Sequence, residues 1–237
     1  MLLRLPTSVS EARQCLSEGA IPVGGATLQW AVWQRDGFPR QAMSLREVPE
    51  ANVLGVGELG AAVLLHRVDE RVPEVLHQAA SRVGTGAVRR TATVGGNIVG
   101  STLRCLLPAA LVLDARATAL DTEGTFETDL TELTAKRPLL LSLRWRTPLA
   151  STHRKLPETG EPPLVIAAAV TPAGESRPLL RVAVRDGYDV LTAAIPYDRD
   201  PDRALDTLSS TSLGTLPRAA REAVRTQVTD VLGRASA

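Results

Sequence analysis

The sequence predicts an α+β fold in which mixed helices and strands come first and antiparallel hairpins with a closing helix follow. Before residue 115, segments with helical apolar spacing alternate with short apolar strands that stop at glycines. After residue 115, apolar or alternating strands are separated by short turns, and the chain closes on an amphipathic segment. Segregation of this kind is typical of α+β chains rather than of regular α/β alternation.

The first predicted element is a helix that starts at Ser8. Ser8-x-x-Glu11 is a capping box, and Gly19 is placed to end the helix. "AIPVGG" at 20–25 then predicts a strand followed by a turn. The inward face of the helix is predicted to carry Ala12, Cys15 and Leu16.

Two further helices are predicted before residue 82. "NVLGVGELGAAVLLHRV" indicates a strand over 52–56, a break at Gly57 and a helix through Leu65. A second helix starts near Pro73, because proline suits the first helical turn. Its inward residues are predicted to be Val75, Leu76, Ala79 and Ala80.

The second half opens with a buried helix and continues with hairpins. "LRCLLPAALVL" is apolar on nearly all sides, with Pro108 near its start. A hairpin is predicted around Glu123-Gly124, a strand over 137–148, and two strands joined by a Pro-Gly turn over 164–187. The closing helix is predicted to end at Gly233 and to bury Leu216, Ala220, Val224, Val231 and Leu232.

Composition restricts the classes of partner and site. The net charge is +1 and aromatic residues make up 3% of the chain, which argues against nucleic acid and against an anionic membrane as partner. No apolar run reaches about 18 residues, and "MLLRLPTSV" turns polar too early for a secretory signal, so a cytoplasmic protein is expected. The two cysteines and three histidines lack metal-ligand spacing, so no metal site is predicted.

Two double-glycine loops are the candidate binding site. In both "IPVGGATLQW" and "TATVGGNIVGS", a short β-like run stops at Gly-Gly and continues into small polar residues. Glycine allows positive φ and close backbone approach, so consecutive N–H groups can form an anion site to which Thr27 and Ser101 add hydroxyls. Two such loops suit the two ends of a diphosphate, whereas the alternative for each loop alone is a tight turn. Neither loop is a P-loop or a Rossmann fingerprint, and "GVGELG" at 55–60 lacks the acidic residue expected after it.

These loops resemble the two flavin-loop motifs of the FAD-binding medium subunit of the molybdenum hydroxylases. That family includes the flavin domains of xanthine dehydrogenase and aerobic carbon monoxide dehydrogenase. Val23-Gly24-Gly25-Ala26-Thr27 is similar to the first motif, and "VRRTATVGGN" at 88–97 to the second. The segments "LPTSVSEARQCL", "LGVGELGAAVLL" and "LLPAALVLDARATAL" extend the resemblance over about 1–135. The chain resembles a divergent and shortened member.

The resemblance implies the flavin-domain fold of the vanillyl-alcohol-oxidase and molybdenum-hydroxylase type, with a small carboxyl-terminal subdomain of antiparallel sheet and helix. It implies three subdomains, at 1–50, 51–147 and 148–237, of which the first two carry the loops. It also implies FAD as cofactor. The implied FAD-binding residues are Val23, Gly24, Gly25, Ala26, Thr27, Leu28, Thr93, Val94, Gly95, Gly96, Asn97, Ser101 and Lys155. Lys155 is the candidate cation near the pyrimidine side of the flavin, and a solvated surface lysine is the alternative. No catalytic residue is assigned.

The function implied is electron transfer in an FAD-dependent oxidoreductase. A molybdopterin-binding large subunit and a [2Fe-2S] small subunit would supply electrons, and NAD⁺ or oxygen would accept them. A stand-alone flavoenzyme acting on a small molecule and a flavin-free assembly subunit remain alternatives. The family's Pro and Asp after the second motif are missing here, and Cys105 falls at the Asp position. Cys105 is interpreted either as a thiol near the flavin or, preferably, as a packing residue.

Overall fold

The chain forms two compact units built from interleaved stretches of sequence. The computed structural model describes residues 1–156, 163–173, 176–197 and 200–236. Unit 1 comprises Met1–Val72, Val83–Arg104 and Ala115–Arg144, and unit 2 comprises Pro73–Arg82, Cys105–Asp114 and Trp145–Ala237. The predicted subdomain boundaries near 50 and 148 stay a prediction, because the units group the chain by contacts and not by sequence order.

Helices and strands are mixed in the first part of the chain, strands predominate after residue 115, and two helices close the chain, as the α+β prediction expects. The helices are α1 (Val9–Ser17), α2 (Gln29–Asp36), α3 (Glu74–Ser81), α4 (Gly86–Arg89), α5 (Leu107–Val112), α6 (Leu130–Lys136), α7 (Pro201–Ser209) and α8 (Arg218–Ser236). The strands are β1 (Leu2–Arg4), β2 (Ile21–Pro22), β3 (Gln41–Met43), β4 (Leu54–Gly55), β5 (Glu58–Gly60), β6 (Arg116–Leu120), β7 (Thr125–Thr128), β8 (Leu139–Arg144), β9 (Ala150–Lys155), β10 (Val165–Ala173), β11 (Ser176–Asp186) and β12 (Asp189–Pro196). None of the helices in the described ranges is long and apolar enough to cross a membrane.

Unit 1 begins with a small parallel sheet of order β1-β3-β2. Helix α1 starts at Ser8, whose Oγ accepts the Glu11 N–H at 3.2 Å. The Glu11 carboxylate reaches back to Thr7, from which it accepts the N–H at 2.7 Å and the hydroxyl at 3.0 Å. The predicted helix start is therefore confirmed, with Thr7 in place of Ser8 as the backbone donor. A small core of Cys15, Ala20 and Met43 fixes the helix near the sheet.

The larger sheet of unit 1 is antiparallel and has the order β4-β5-β8-β6-β7. The predicted hairpin around Glu123-Gly124 is confirmed as β6–β7. The predicted helix through Leu65 is wrong, because the chain turns after Gly55 into the β4–β5 hairpin and then continues through turns to a short 3₁₀ helix at Leu65–Arg67. Its backbone is held by distant partners: Ala61 N–H donates to Leu141 O at 2.8 Å, and Leu65 N–H donates to Ala92 O at 2.9 Å.

Unit 2 is organised around an antiparallel sheet of order β12-β11-β10-β9. The hairpin predicted over 164–187 is confirmed as β10–β11, and residues 174–175 of its turn lie outside the described residues. Helices α7 and α8 share a buried apolar cluster with β10, β11 and β12. Helix α3 packs against β9, and α5 packs against β10 and β11. The helices predicted near Pro73 and Pro108 are thereby confirmed as α3 and α5.

The closing helix is confirmed, but its predicted end at Gly233 is wrong. Helix α8 continues through Gly233 to Ser236. The five residues predicted to be inward are all buried: Leu216, Ala220, Val224, Val231 and Leu232.

Candidate functional site

The first double-glycine loop presents a row of free backbone donors. Strand pairing ends where Val23 N–H donates to Met43 O at 2.8 Å, and α2 begins where Trp30 N–H donates to Ala26 O at 3.0 Å. Between these bonds, the N–H groups of 24–28 donate to no group within the described ranges of the chain. Ala26 adopts a positive φ of 53°, so the loop bends sharply before the helix. Successive unused N–H groups at a helix start form an electropositive concavity that favours an anion.

The two double-glycine loops of unit 1 lie against one another. A Cβ built on Gly24 would overlap Thr93 Oγ1, and one built on Gly25 would overlap the carbonyl of Thr91 and come within 2.9 Å of Ala92 N. None of the four loop glycines has a positive φ. Of the two properties of glycine invoked for these loops, positive φ is not used, and glycine is required at Gly24 and Gly25 because there is no space for a side chain.

The second loop differs from the prediction that it ends a strand and offers free N–H groups. Thr93 forms only an isolated bridge with Leu64, and the chain becomes helical from Val94, with a π-helical turn over Gly96–Gly100. The backbone N–H groups of 94–97 are used inside unit 1. Val94 donates to Val63 O at 3.0 Å, Gly95 to Ala61 O at 2.8 Å, Gly96 to Thr93 Oγ1 at 3.1 Å and Asn97 to Thr93 O at 3.0 Å. The second loop therefore supports the first and does not form a second nest of N–H groups.

The polar side chains of the two loops have different environments. Thr27 is exposed beside the free N–H groups, so its hydroxyl is accessible to a bound anion. Ser101 is buried, and its Oγ accepts the Leu103 N–H at 3.2 Å. Asn97 is also buried. Of the two predicted hydroxyls, Thr27 is the one placed to reach a ligand at the first loop.

Lys155 belongs to unit 2, on strand β9, where its Nζ donates to Arg82 O at 3.1 Å. His153 lies two residues earlier on the same strand, and its Nδ1 has no hydrogen-bond partner in the described chain. Burial, followed by the nearby charges of Arg82 and Lys155, lowers the pKa of His153 to about 3. The proposed contact of Lys155 with a flavin stays a prediction.

Cys105 also belongs to unit 2, immediately before α5, and only 8% of its surface is exposed. Leu106 and Leu107, which follow it, are buried as well. This environment favours a packing role over a reactive thiol. Arg104, which precedes it at φ 43°, has a buried Nε without a partner among the described residues. Desolvation, with a smaller repulsion from Arg137, lowers the pKa of Arg104.

Sequence reasoning identified both loops but missed the residues that press against them. Thr91 contributes the carbonyl that faces Gly25, and Ala61 lies against Gly95, with 2.9 Å from the Ala61 Cβ to a Cβ built on Gly95. These contacts join segments far apart in sequence, so no local pattern indicates them. Trp30, on the first turn of α2, was also missed, although its position directly after the loop was visible in "GGATLQW".

Comparison with known proteins identifies the family. A sequence model described as the FAD binding domain in molybdopterin dehydrogenase matches residues 3–142, which include both loops. No curated protein matches the chain in sequence.

Solved structures share the fold over nearly the whole chain. Quinoline 2-oxidoreductase from Pseudomonas putida 86 superposes with a TM-score of 0.76 at 17% identity, covering 100% of this chain and 98% of that one. Carbon monoxide dehydrogenase from Oligotropha carboxidovorans gives 0.77 at 16% identity, with 99% and 97% covered. The enzyme from Hydrogenophaga pseudoflava gives 0.70 at 16% identity, with 100% and 97% covered. The predicted fold type is confirmed, including the part after residue 142 that the family model does not reach.

The first loop fits the cofactor that this family implies. A dinucleotide carries its negative charge on the diphosphate, and the five unused N–H groups of 24–28 are donors suited to those oxygens. The family match covers more than half of the chain and contains this loop. The chain therefore belongs to the FAD-binding domain family of the molybdopterin dehydrogenases and is an FAD-binding flavoprotein of the oxidoreductase class.

Proposed function

We propose that this chain is the flavin subunit of a multi-chain molybdenum hydroxylase. In this proposal, a molybdopterin-binding large subunit would oxidise the substrate, a [2Fe-2S] small subunit would relay the electrons, and this chain would hold the FAD through which they pass to NAD⁺ or oxygen. Support comes from the family and from the relatives, which include a Cu,Mo carbon monoxide dehydrogenase and a quinoline 2-oxidoreductase. The 237 residues contain two cysteines, so this chain does not supply the four thiolates of a Cys₄-ligated [2Fe–2S] cluster.

The observation that carries the proposal is the row of free N–H groups at 24–28, which packs against the second loop. When FAD is bound it supplies two-electron and one-electron redox chemistry, while the protein binds and orients it. The N–H groups of 24–28 would donate to the diphosphate oxygens, and the Thr27 hydroxyl would add a further donor. Thr91 and Thr93 support this loop from behind, because any side chain at Gly24 or Gly25 would collide with them.

The second-loop residues and Lys155 have more limited parts in this proposal. Since the N–H groups of Val94, Gly95, Gly96 and Asn97 are bonded within unit 1, we assign these residues mainly to shaping the site. Lys155 is proposed to place a cation near the pyrimidine ring of the flavin. Its bond to the Arg82 carbonyl would fix the direction of the side chain.

Identification of the bound cofactor tests the binding part of the proposal. The purified protein, reconstituted with flavin if necessary, should show the two visible absorption bands of an oxidised flavin. The cofactor released by heat should chromatograph as FAD. Release of FMN, or failure to retain any flavin after reconstitution, would contradict the proposal.

Reoxidation kinetics test the electron acceptor and the alternative of a stand-alone flavoenzyme. The protein is reduced chemically without oxygen and then mixed with NAD⁺ or with oxygenated buffer, and the return of flavin absorbance is followed. We expect rapid reoxidation by one of the two acceptors. We also expect no reduction of the isolated chain by small organic substrates, since the proposal places their oxidation on the large subunit. Direct reduction by such a substrate would instead support the stand-alone enzyme.

A further inference from the structure

The segment after the first loop carries a cluster of aromatic residues in a chain that has few. Trp30, Trp33 and Phe38 lie within 30–38, although the whole sequence has only three Trp, two Tyr and two Phe. Trp33 is buried and anchors α2, and Phe38 contacts both tryptophans, with ring centroids 5.1 Å from Trp30 and 6.1 Å from Trp33. Trp30 nevertheless remains 50% exposed. Its indole is therefore positioned by Phe38 on one side and open to solvent on the other.

The location of Trp30 relates this open indole to the free N–H groups. The backbone N–H of Trp30 donates to Ala26 O at 3.0 Å. This bond places Trp30 in the first turn of α2, directly after the loop. In a helix the Cα–Cβ bond tilts toward the amino terminus, so the Trp30 side chain covers the turn that precedes it. Leu28, between the loop and Trp30, is 56% exposed and extends the apolar surface. The free N–H groups of 24–28 and the exposed indole of Trp30 are thus adjacent in one short segment.

We propose that Trp30 is the adenine platform of this flavoprotein and makes its binding site selective for FAD over FMN. This inference rests on the proposed function, in which the N–H groups of 24–28 hold the diphosphate. The adenine base of FAD is one ribose away from that diphosphate, and a purine presents a flat apolar face that stacks on an indole. FMN has one phosphate and no adenine, so the platform contributes nothing to FMN binding.

Substitution of Trp30 tests the inference in the full-length protein. The affinities for FAD and for FMN are measured by titration for the parent and for Trp30→Ala, Trp30→Tyr and Val32→Ala. Loss of base–aromatic stacking should weaken FAD binding by about 5- to 150-fold in Trp30→Ala, which corresponds to about 1–3 kcal/mol, and should leave FMN binding within about twofold. Trp30→Tyr should retain most of the affinity for FAD. Val32→Ala, an exposed apolar residue on the same helix, is the matched control and should change neither affinity.

Competition with ADP provides a second measurement that does not involve the flavin ring. ADP contains the adenine and the diphosphate, so it should displace FAD from the parent and should compete much less well in Trp30→Ala. Thermal unfolding of each variant checks that substitution of the half-exposed Trp30 leaves the fold intact. If Trp30→Ala is unstable, Trp30→Leu replaces it, because leucine keeps an apolar side chain but has no aromatic ring to stack on adenine.

Three kinds of result would contradict the proposed role of Trp30. Equal loss of FAD and FMN affinity, or unchanged FAD affinity, would overturn it while leaving the diphosphate loop standing. A change in oligomeric state without a change in FAD affinity would assign Trp30 to a protein interface and would also overturn it. If the parent binds neither FAD nor FMN, the proposed function fails first and the inference fails with it.

Discussion

Gly25 is the position in the first loop where a side chain has the least space. A Cβ at this position would overlap the Thr91 carbonyl and lie 2.9 Å from Ala92 N. Both obstacles are main-chain atoms that cannot rotate away, so any side chain must displace the loop that carries the free donors. The steric requirement is therefore stricter than that at Gly24, where the nearest atoms belong to the Thr93 side chain.

We predict that Gly25→Ala weakens FAD binding by at least about tenfold and lowers the free energy of unfolding by about 1–3 kcal/mol through overpacking. Gly100→Ala is the matched control, because a Cβ at Gly100 meets nothing within 4 Å. Flavin titration and denaturant unfolding of both variants provide the measurements. A Gly25→Ala protein that binds FAD like the parent would show that the first loop is only a turn.

Gly95 also lies where a side chain has no space. If Gly95 lay in a ligand-facing turn, Gly95→Val would abolish FAD binding without harm to the fold. A Cβ on Gly95 would instead lie 2.9 Å from the Ala61 Cβ and 3.2 Å from the Ala61 carbonyl oxygen. Valine at this position would destabilise unit 1, so loss of FAD in that variant would not identify a ligand contact.

His153 makes the stability of unit 2 depend on pH. Its folded-state pKa is lowered to about 3, whereas an imidazole in the unfolded chain titrates near 6.5. Between these values the unfolded chain binds a proton that the folded chain does not, so stability is greatest above about pH 6.5 and falls as the pH drops.

We predict that this single group contributes up to about 1.4 kcal/mol per pH unit to the loss of stability below about pH 6.5. His153→Leu should remove this contribution to the pH dependence. The difference in unfolding free energy between parent and variant should therefore change by up to about 1.4 kcal/mol for each pH unit below about pH 6.5. Urea unfolding at intervals from about pH 7 to about pH 5 measures it. Parallel pH curves for the two proteins would show that His153 has the same pKa in the folded and the unfolded chain.

At the scale of elements, two glycines in open space allow helix propensity to be separated from backbone strain. One lies within α8 and the other follows α1. Gly233 lies inside α8, and Gly19 follows the end of α1 at a φ of +80°. A Cβ meets nothing within 4 Å at either position. The two sites therefore differ in backbone conformation and not in available space.

We predict that Gly233→Ala raises the free energy of unfolding by about 0.5–1 kcal/mol, because alanine is the better helix former. Gly19→Ala should lower it by about 1 kcal/mol or more, because a Cβ disfavours the left-handed conformation. Denaturant unfolding of the two variants checks both signs. If Gly233→Ala is neutral or destabilising, α8 does not persist past Gly233 in solution.

Elements with a complete local pattern could be predicted from the sequence, whereas those fixed by distant partners could not. Helix α3 has Pro73 at its start and four inward apolar residues, so composition and spacing were sufficient. Helix α2 has a single buried residue, Trp33, and lacks the periodic face on which such predictions depend. The segment after Gly60 has an apolar composition that suits a helix, but its N–H groups bond to Leu141 and Ala92. Tertiary hydrogen bonding overrode local preference there.

The candidate site also has a part that could be predicted from the sequence and a part that depends on distant contacts. The glycine spacing and the following Thr27 were enough to locate the donor loop and to suggest its ligand class. The distinction between an open first loop and a bonded second loop depends on Val63, Ala61 and the Thr93 hydroxyl, which no pattern near 94–97 specifies.

At the scale of the whole molecule, unit 2 depends on segments that precede its sheet in sequence. Helices α3 and α5, from residues 73–82 and 105–114, pack on strands that begin only after residue 145. Two ion pairs join the same segments: Arg234 contacts Glu74 at 2.8 Å, and Arg181 contacts Asp114 at 2.8 Å.

We predict that a fragment of residues 145–237 does not fold alone, because one face of its sheet loses the cover of α3 and α5. Circular dichroism and urea unfolding should show no cooperative transition, and size-exclusion chromatography should show aggregation. The full chain under identical conditions is the control. A monomeric fragment with a sharp transition would mean that α7 and α8 alone stabilise the sheet.

This interleaving also affects how the protein can change through recombination. The chain passes from one unit to the other at 72–73, 82–83, 104–105, 114–115 and 144–145. A single crossover in the gene cannot transfer either unit intact, and an insertion of unit 2 into another protein would need three separate pieces of DNA. Replacement of either unit without the other therefore requires coordinated breaks at all five of these points.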